Sequence, residues 1–228
     1  MKKLMGVLII LFVAQNLLAQ DFDKVKTDLL LSKVDDAKAD YDKILAKKAN
    51  LVGTAPALYW KSKIYSAYHK DAAKYPNAYN ELKTALDAYI NAEASLQLAK
   101  DNGQEPFFDV YIRSFKGGVD SFNTKNWKGA AAHFSNAVKY SDIIFTQGWA
   151  SSKQKFDTTA IIYAGYSSQN AGNIDETLSF YERLADNKVA NPELADAYRY
   201  ILVQLTTKKD KANFDKYMAL STAVYPNE

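Results

Sequence analysis

The chain has 228 residues, no cysteine, 29 basic against 26 acidic side chains, and 13% aromatic residues. Without cysteine it can form neither a disulfide framework nor an acylated cysteine anchor. Its lysines are interspersed with acids and its three arginines, Arg113, Arg183 and Arg199, are far apart, so no basic stripe is available to neutralise phosphates and no nucleic acid partner is expected.

Lys2 and Lys3 precede an uncharged aliphatic run from Leu4 to Ala14, and Leu17-Leu18-Ala19-Gln20 precedes the first acid, Asp21. That order predicts a cleaved signal peptide over residues 1–20. The run breaks at Gln15 and Asn16, short of the ~20 apolar residues a spanning helix needs. The expected product is a periplasmic or secreted chain, not a lipoprotein, with no membrane insertion of the mature protein.

Ten helices in five pairs are predicted downstream. Residues 21–31 and 33–48 form the first pair, which Gly53 ends; Thr54 is placed to cap the next helix, with Pro56 tolerated in its first turn. The second pair takes residues 55–74 and 77–100, with Pro76 as the break. Asp101-Asn102-Gly103 reads as a helix stop, and Pro106 opens the third pair, 106–123 and 127–146. A polar loop around Trp149 leads to 156–170 and 174–187, turned at Ala171-Gly172-Asn173. Asn191-Pro192-Glu193 combines a cap, a first-turn proline and a dipole-favoured acid to start the fifth pair, whose second helix, 211–224, stops before Pro226. No hairpin turn separates two alternating runs, so the expected class is all-α.

Across these segments one cadence recurs: Ala37, Tyr41, Ile44; Ala85, Tyr89, Ala92; Ala130, Phe134, Ala137; and, more loosely, Thr177, Tyr181, Leu184. The copies start at intervals of about 45 to 48 residues, a range that marks stacked repeat arrays. Positions i, i+4 and i+7 share a helix face, so each copy offers a small, large, small stripe on which another helix can close.

The stretch Gly118, Phe122, Asn126-Trp127, Ala130, Phe134, Ala137 resembles a tetratricopeptide repeat. Gly165, Gly172, Ile174 and Tyr181 form a weaker copy, and Trp60, Ile64 and Tyr68 resemble the first helix of another, paired with Ala85, Tyr89 and Ala92. The resemblance implies a right-handed superhelical stack of antiparallel helix pairs, about five in number, forming a single domain over 21–228. The family's period is about 34, and intervals of roughly 40 to 47 suit HEAT or armadillo arrays. The excess is local, in the connection from Trp60 to Ala85 and in an extension from Ser141 to Lys155.

Catalytic motifs are absent: the sequence holds no G-x-S-x-G, H-E-x-x-H, Walker-type or G-x-G-x-x-G pattern. Of its two histidines, His133 sits in a packing stripe and reads as structural, whereas His69 follows Tyr68 near a helix end and is a candidate site residue. Asp35-Asp36 and Asp175-Glu176 open helices, where carboxylates favour the dipole. Asp101 to Glu105 lacks the twelve-residue calcium-loop pattern. No cofactor, metal or catalytic residue is expected.

The family resemblance implies that first helices line a concave groove. Lys61, Tyr65, Tyr68, His69, Phe115, Phe122, Asn123, Tyr166, Gln169, Asn170 and Arg199 fall at or near groove-facing positions. Lys61, Asn123 and Arg199 are too scattered to form the family's clamp for a C-terminal carboxylate. The expected function is that of an exported, non-catalytic scaffold or adaptor binding a protein or extended peptide of the bacterial cell envelope. A glycan-binding module is the alternative, because Tyr and Trp faces also stack on sugars, and an enzyme with a dispersed site is the third class. Oligomeric state stays open.

Overall fold

The computed structural model describes residues 21–191 and 194–226. The expected signal peptide and the Pro192-Glu193 start signal lie outside the described residues. Regular structure among the described residues is helical: α1 (Asp23–Leu30), α2 (Val34–Lys47), α3 (Ala55–Tyr68), α4 (Ala78–Ala92), α5 (Gln97–Asn102), α6 (Glu105–Asn123), α7 (Trp127–Thr146), α8 (Thr158–Asn170), α9 (Ile174–Asp186), α10 (Ala195–Lys208) and α11 (Lys211–Val224), with a 3₁₀ turn at Ala49–Leu51. The chain is all-α. Two compact units part between Val110 and Tyr111, and α6 contributes residues to both.

In the first unit α2 packs on α1, α3 on α2 and α4 on α3, while α1 and α5 also touch α3. Its core gathers Phe22, Val25, Ala37, Leu51, Tyr59, Ile64, Leu82, Leu86, Tyr89 and Phe107, all buried. Buried tyrosines need partners for their hydroxyls. Tyr59 meets the rings of Trp60 at 5.0 Å and Tyr89 at 5.3 Å and donates to the Gly103 carbonyl at 2.9 Å. Tyr89 donates to Glu93 at 2.6 Å and accepts from the Ala99 amide at 3.2 Å.

Helix ends in this unit differ from the sequence expectation at three places. The helix expected over 55–74 stops at Tyr68. The one expected over 77–100 stops at Ala92, and Leu96 turns the chain through the left-handed region at φ +52° before α5 begins. Leucine is disfavoured there by about 1–2 kcal/mol, but its side chain is only 3% exposed, and burying a leucine returns roughly 1.5–3 kcal/mol. Thr54 does occupy the N-cap position, yet its hydroxyl donates back to the Leu51 carbonyl at 2.7 Å and makes no cap bond.

In the second unit α8 packs on α7, α9 on α8, α10 on α9 and α11 on α10, with α9 also touching α11. Two of its glycines do the same task. A Cβ at Gly118 would lie 2.7 Å from the Phe134 ring, and one at Gly165 would lie 2.4 Å from the Tyr181 ring. In each case the first helix has no side chain where the second helix's aromatic lands.

The turns repeat as well. From α6 to α7, α8 to α9 and α10 to α11 the chain passes through one left-handed residue, Lys125, Gly172 or Lys209, with φ of +56°, +79° and +58°. Each following residue donates its amide five positions back in a Schellman closure: Asn126 to Ser121, Asn173 to Ser168, Asp210 to Leu205. The same residue is then the N-cap of the next helix, and the Asn126 and Asp210 side chains accept from Gly129 and Asn213. In the first unit, Ser32 and Lys33 make the same closure between α1 and α2, onto Leu29 and Asp28.

The cadence residues are buried at Ala37, Tyr41, Ala85, Tyr89, Ala130, Phe134, Ala137, Thr177, Tyr181 and Leu184. Ile44 is half-buried and Ala92 is exposed. Ala92 is the last residue of α4.

Candidate functional site

The second unit contains a cleft of 830 Å³ whose walls come from first helices. Phe122 of α6, then Ile162, Tyr163, Tyr166 and Gln169 of α8, then Asp196, Arg199, Tyr200, Val203 and Gln204 of α10 line it, with Tyr181 of α9 between them. Spacing explains the α8 wall. Residues 162, 166 and 169 share one helix face, opposite the Ala160 and Ala164 side that is buried in the core.

Aromatic contacts hold the cleft in shape. Phe122 meets Tyr163 edge-on at 5.4 Å and Tyr166 at 5.6 Å, and Trp127 backs Phe122 at 5.3 Å. Tyr163 stacks on the core ring of Phe134 at 5.1 Å, and Tyr200 meets Tyr181 edge-on at 5.9 Å. Despite these contacts Tyr163 is 36% exposed, Tyr166 46% and Val203 59%. Three large apolar side chains thus face solvent in one concavity.

The polar groups of the cleft are largely engaged with each other. Tyr181 donates to Gln169 at 2.7 Å, and burial pushes its hydroxyl pKa up, so it remains a neutral donor. Arg199 pairs with Asp196 at 2.7 Å, cancelling the two charges at the rim. What is left is a neutral, aromatic surface edged by the Gln169 and Gln204 amides. Such a surface can take an apolar or aromatic group and orient it by a few polar contacts.

The residues singled out from the sequence separate into three sets. Phe122, Tyr166, Gln169 and Arg199 come together in the cleft. Phe115, Asn123 and Asn170 belong to the same unit outside its lining: Phe115 packs edge-on against Phe134 at 5.4 Å, Asn123 is exposed, and Asn170 donates to the Tyr166 carbonyl at 2.9 Å. Lys61, Tyr65, Tyr68 and His69 lie on or next to α3 in the first unit.

In that unit, Lys61 pairs with Glu81 at 2.7 Å and lies 5.6 Å from the Tyr65 ring centroid. Tyr68 is 8% exposed, packs against Tyr75 at 4.0 Å and donates to Asp35 at 2.8 Å. It is a packed residue rather than an open contact. His69 Nε2 sits 3.2 Å from Asp109 but off the line of a hydrogen bond. Burial alone would raise the Asp109 pKa, but the His69 imidazole, the Ser66 hydroxyl and the Lys70 charge outweigh it and hold the carboxylate below its usual range. His133, the second histidine, lies against Gly117 on the packed side of α7.

Sequence reading missed Tyr163, Tyr200, Val203 and Gln204. The α10 residues had no repeat signal because the fifth pair carries the cadence poorly. Among the described residues no group of three or more His, Asp or Glu could hold a metal ion, and no helix is long and apolar enough to cross a membrane. No protein-family model, curated protein or solved structure matches the chain.

Proposed function

We propose that this chain is an exported, non-catalytic helical-repeat protein of the tetratricopeptide type that binds an extended protein segment of the bacterial cell envelope in the α6–α8–α10 cleft. One observation carries the reading: the same side of three successive first helices supplies the cleft wall, with aromatic faces left exposed on it. In a right-handed superhelix of helix pairs, first helices would line the concave surface. The repeated Gly118–Phe134 and Gly165–Tyr181 approaches and the repeated turns support one unit copied along the chain.

A bound segment would place apolar or aromatic side chains on Tyr166, Tyr200 and Val203 and set its backbone against Gln169 and Gln204. Residues 1–20 would act as the export signal, giving a mature N-terminus at Gln20 or Asp21; exported protein whose intact mass retains Met1 would contradict that. A glycan is the second reading, favoured by tyrosine faces beside amide groups. Selecting from a random displayed-peptide library with the purified protein, alongside a glycan array, separates the two. Enrichment of peptides with spaced apolar residues and a blank array is the expected outcome; array hits without peptide enrichment would replace the peptide reading with the glycan one.

A further inference from the structure

We propose that the first unit carries a second, chemically different site: a groove between α1 and α3 that binds a small organic anion with an apolar body. It encloses 380 Å³, within the range of small-molecule sites. On α3, Trp60, Lys63 and Ala67 follow one helix face, Lys70 lies just past the helix end, and on α1 Lys26 and Leu30 form the facing wall.

Charge selects the ligand. Lys63 is already engaged, donating to Glu105 at 2.7 Å and to the Asn102 carbonyl at 3.2 Å. Lys70 lies 3.9 Å from Asp109, a carboxylate that also accepts from Ser66, and is 63% exposed. The Lys26 ammonium has no hydrogen-bond or ion-pair partner among the described residues. Lys26 is therefore unengaged and Lys70 is paired only loosely, at 3.9 Å, unlike the α6–α8–α10 cleft, where Arg199 meets Asp196 at 2.7 Å.

The body of the ligand follows from what lies between the lysines. Leu30 is 76% exposed at the groove, and Ala67 and Leu29 continue the aliphatic surface. Trp60 is 4% exposed, and its indole N–H is buried with no acceptor. That N–H has almost no exposed surface, so the Trp60 ring contributes apolar wall to the groove and its resonance reports on what binds beside it. The groove contains no arginine fork of the kind that grips phosphate. A carboxylate on an aliphatic chain fits every one of these groups.

The probe is octanoate, titrated calorimetrically into the full protein, with acetate as the anion lacking a chain and octyl glucoside as the chain lacking an anion. Octanoate should bind at one site with a Kd below about 1 mM, and both controls should bind at least about tenfold more weakly. Lys26→Gln combined with Lys70→Gln should weaken octanoate about tenfold while the far-UV circular dichroism of the folded protein stays that of wild type. The Trp60 indole N–H resonance, assigned from Trp60→Phe, should shift on titration, and Tyr166→Ala should leave octanoate binding intact. Absence of binding up to about 10 mM, equal binding of either control, unchanged binding in the double lysine variant, or an unmoved Trp60 resonance would each overturn the proposal.

Discussion

Phe134 concentrates the residue-scale energetics of the second unit. Its ring is fully buried, is met edge-on by Phe115, stacks on Tyr163, and fills the space Gly118 leaves open. Phe134→Ala is expected to lower stability by ~3–5 kcal/mol. Gly118→Ala and Gly165→Ala should each cost ~1–3 kcal/mol, because the atoms a new Cβ meets belong to rings packed in place. Urea unfolding of the variants measures all of these; unchanged midpoints for both glycine variants would mean the two helix pairs are not built alike. Asp109 adds a pH dependence. Its folded pKa lies below the ordinary value of about 3.9, so its contribution is fully present above that value and is lost as pH falls through the lower folded one. The stability difference between wild type and Asp109→Asn should accordingly shrink between pH 5 and pH 2, a trend that unfolding curves at each pH would reveal; a constant difference would assign the carboxylate no stabilising role.

Turn chemistry is the element-scale counterpart. The left-handed position between α6 and α7 and between α10 and α11 is held by Lys125 and Lys209, and between α8 and α9 by Gly172. A β-carbon there is disfavoured by about 1–2 kcal/mol. Lys125→Gly and Lys209→Gly should therefore raise stability by up to about 1 kcal/mol, and Gly172→Ala should lower it by a similar amount. Thermal midpoints moving in the same direction for all three would contradict the shared turn geometry. These turns also show where sequence reading works. Asn126 and Asn173 announce their helices because an Asx side chain and a following small, aromatic, small stripe are both written in local residue types. Leu96 announces nothing, since leucine takes a left-handed conformation only when tertiary burial outweighs the local penalty. Helix α4 accordingly ends earlier than its apolar pattern suggests.

At the scale of the whole chain, the sequence reading captured the all-helical class and the burial of most cadence positions, because both follow from spacing along a helix. The cleft was legible only in part. Phe122, Tyr166, Gln169 and Arg199 could be named from the face they occupy, but Tyr200 and Val203 depend on how α10 packs on α9, which no local pattern encodes. Tyr68 was read as open because a tyrosine bonded to a distant Asp35 looks the same in sequence as one facing solvent. Tyr68→Ala should therefore destabilise the first unit, while Tyr166→Ala should leave the thermal midpoint nearly unchanged.

The proposed recognition surface is tested most directly by the affinity of a library-selected peptide for the wild-type protein and for Tyr166→Ala combined with Val203→Ser, with the thermal midpoint measured on the same samples. Truncated interface anchors commonly cost more than ~1 kcal/mol each, so the expected result is an affinity loss of about tenfold or more at an unchanged midpoint. Full affinity in the double variant would contradict binding in the α6–α8–α10 cleft.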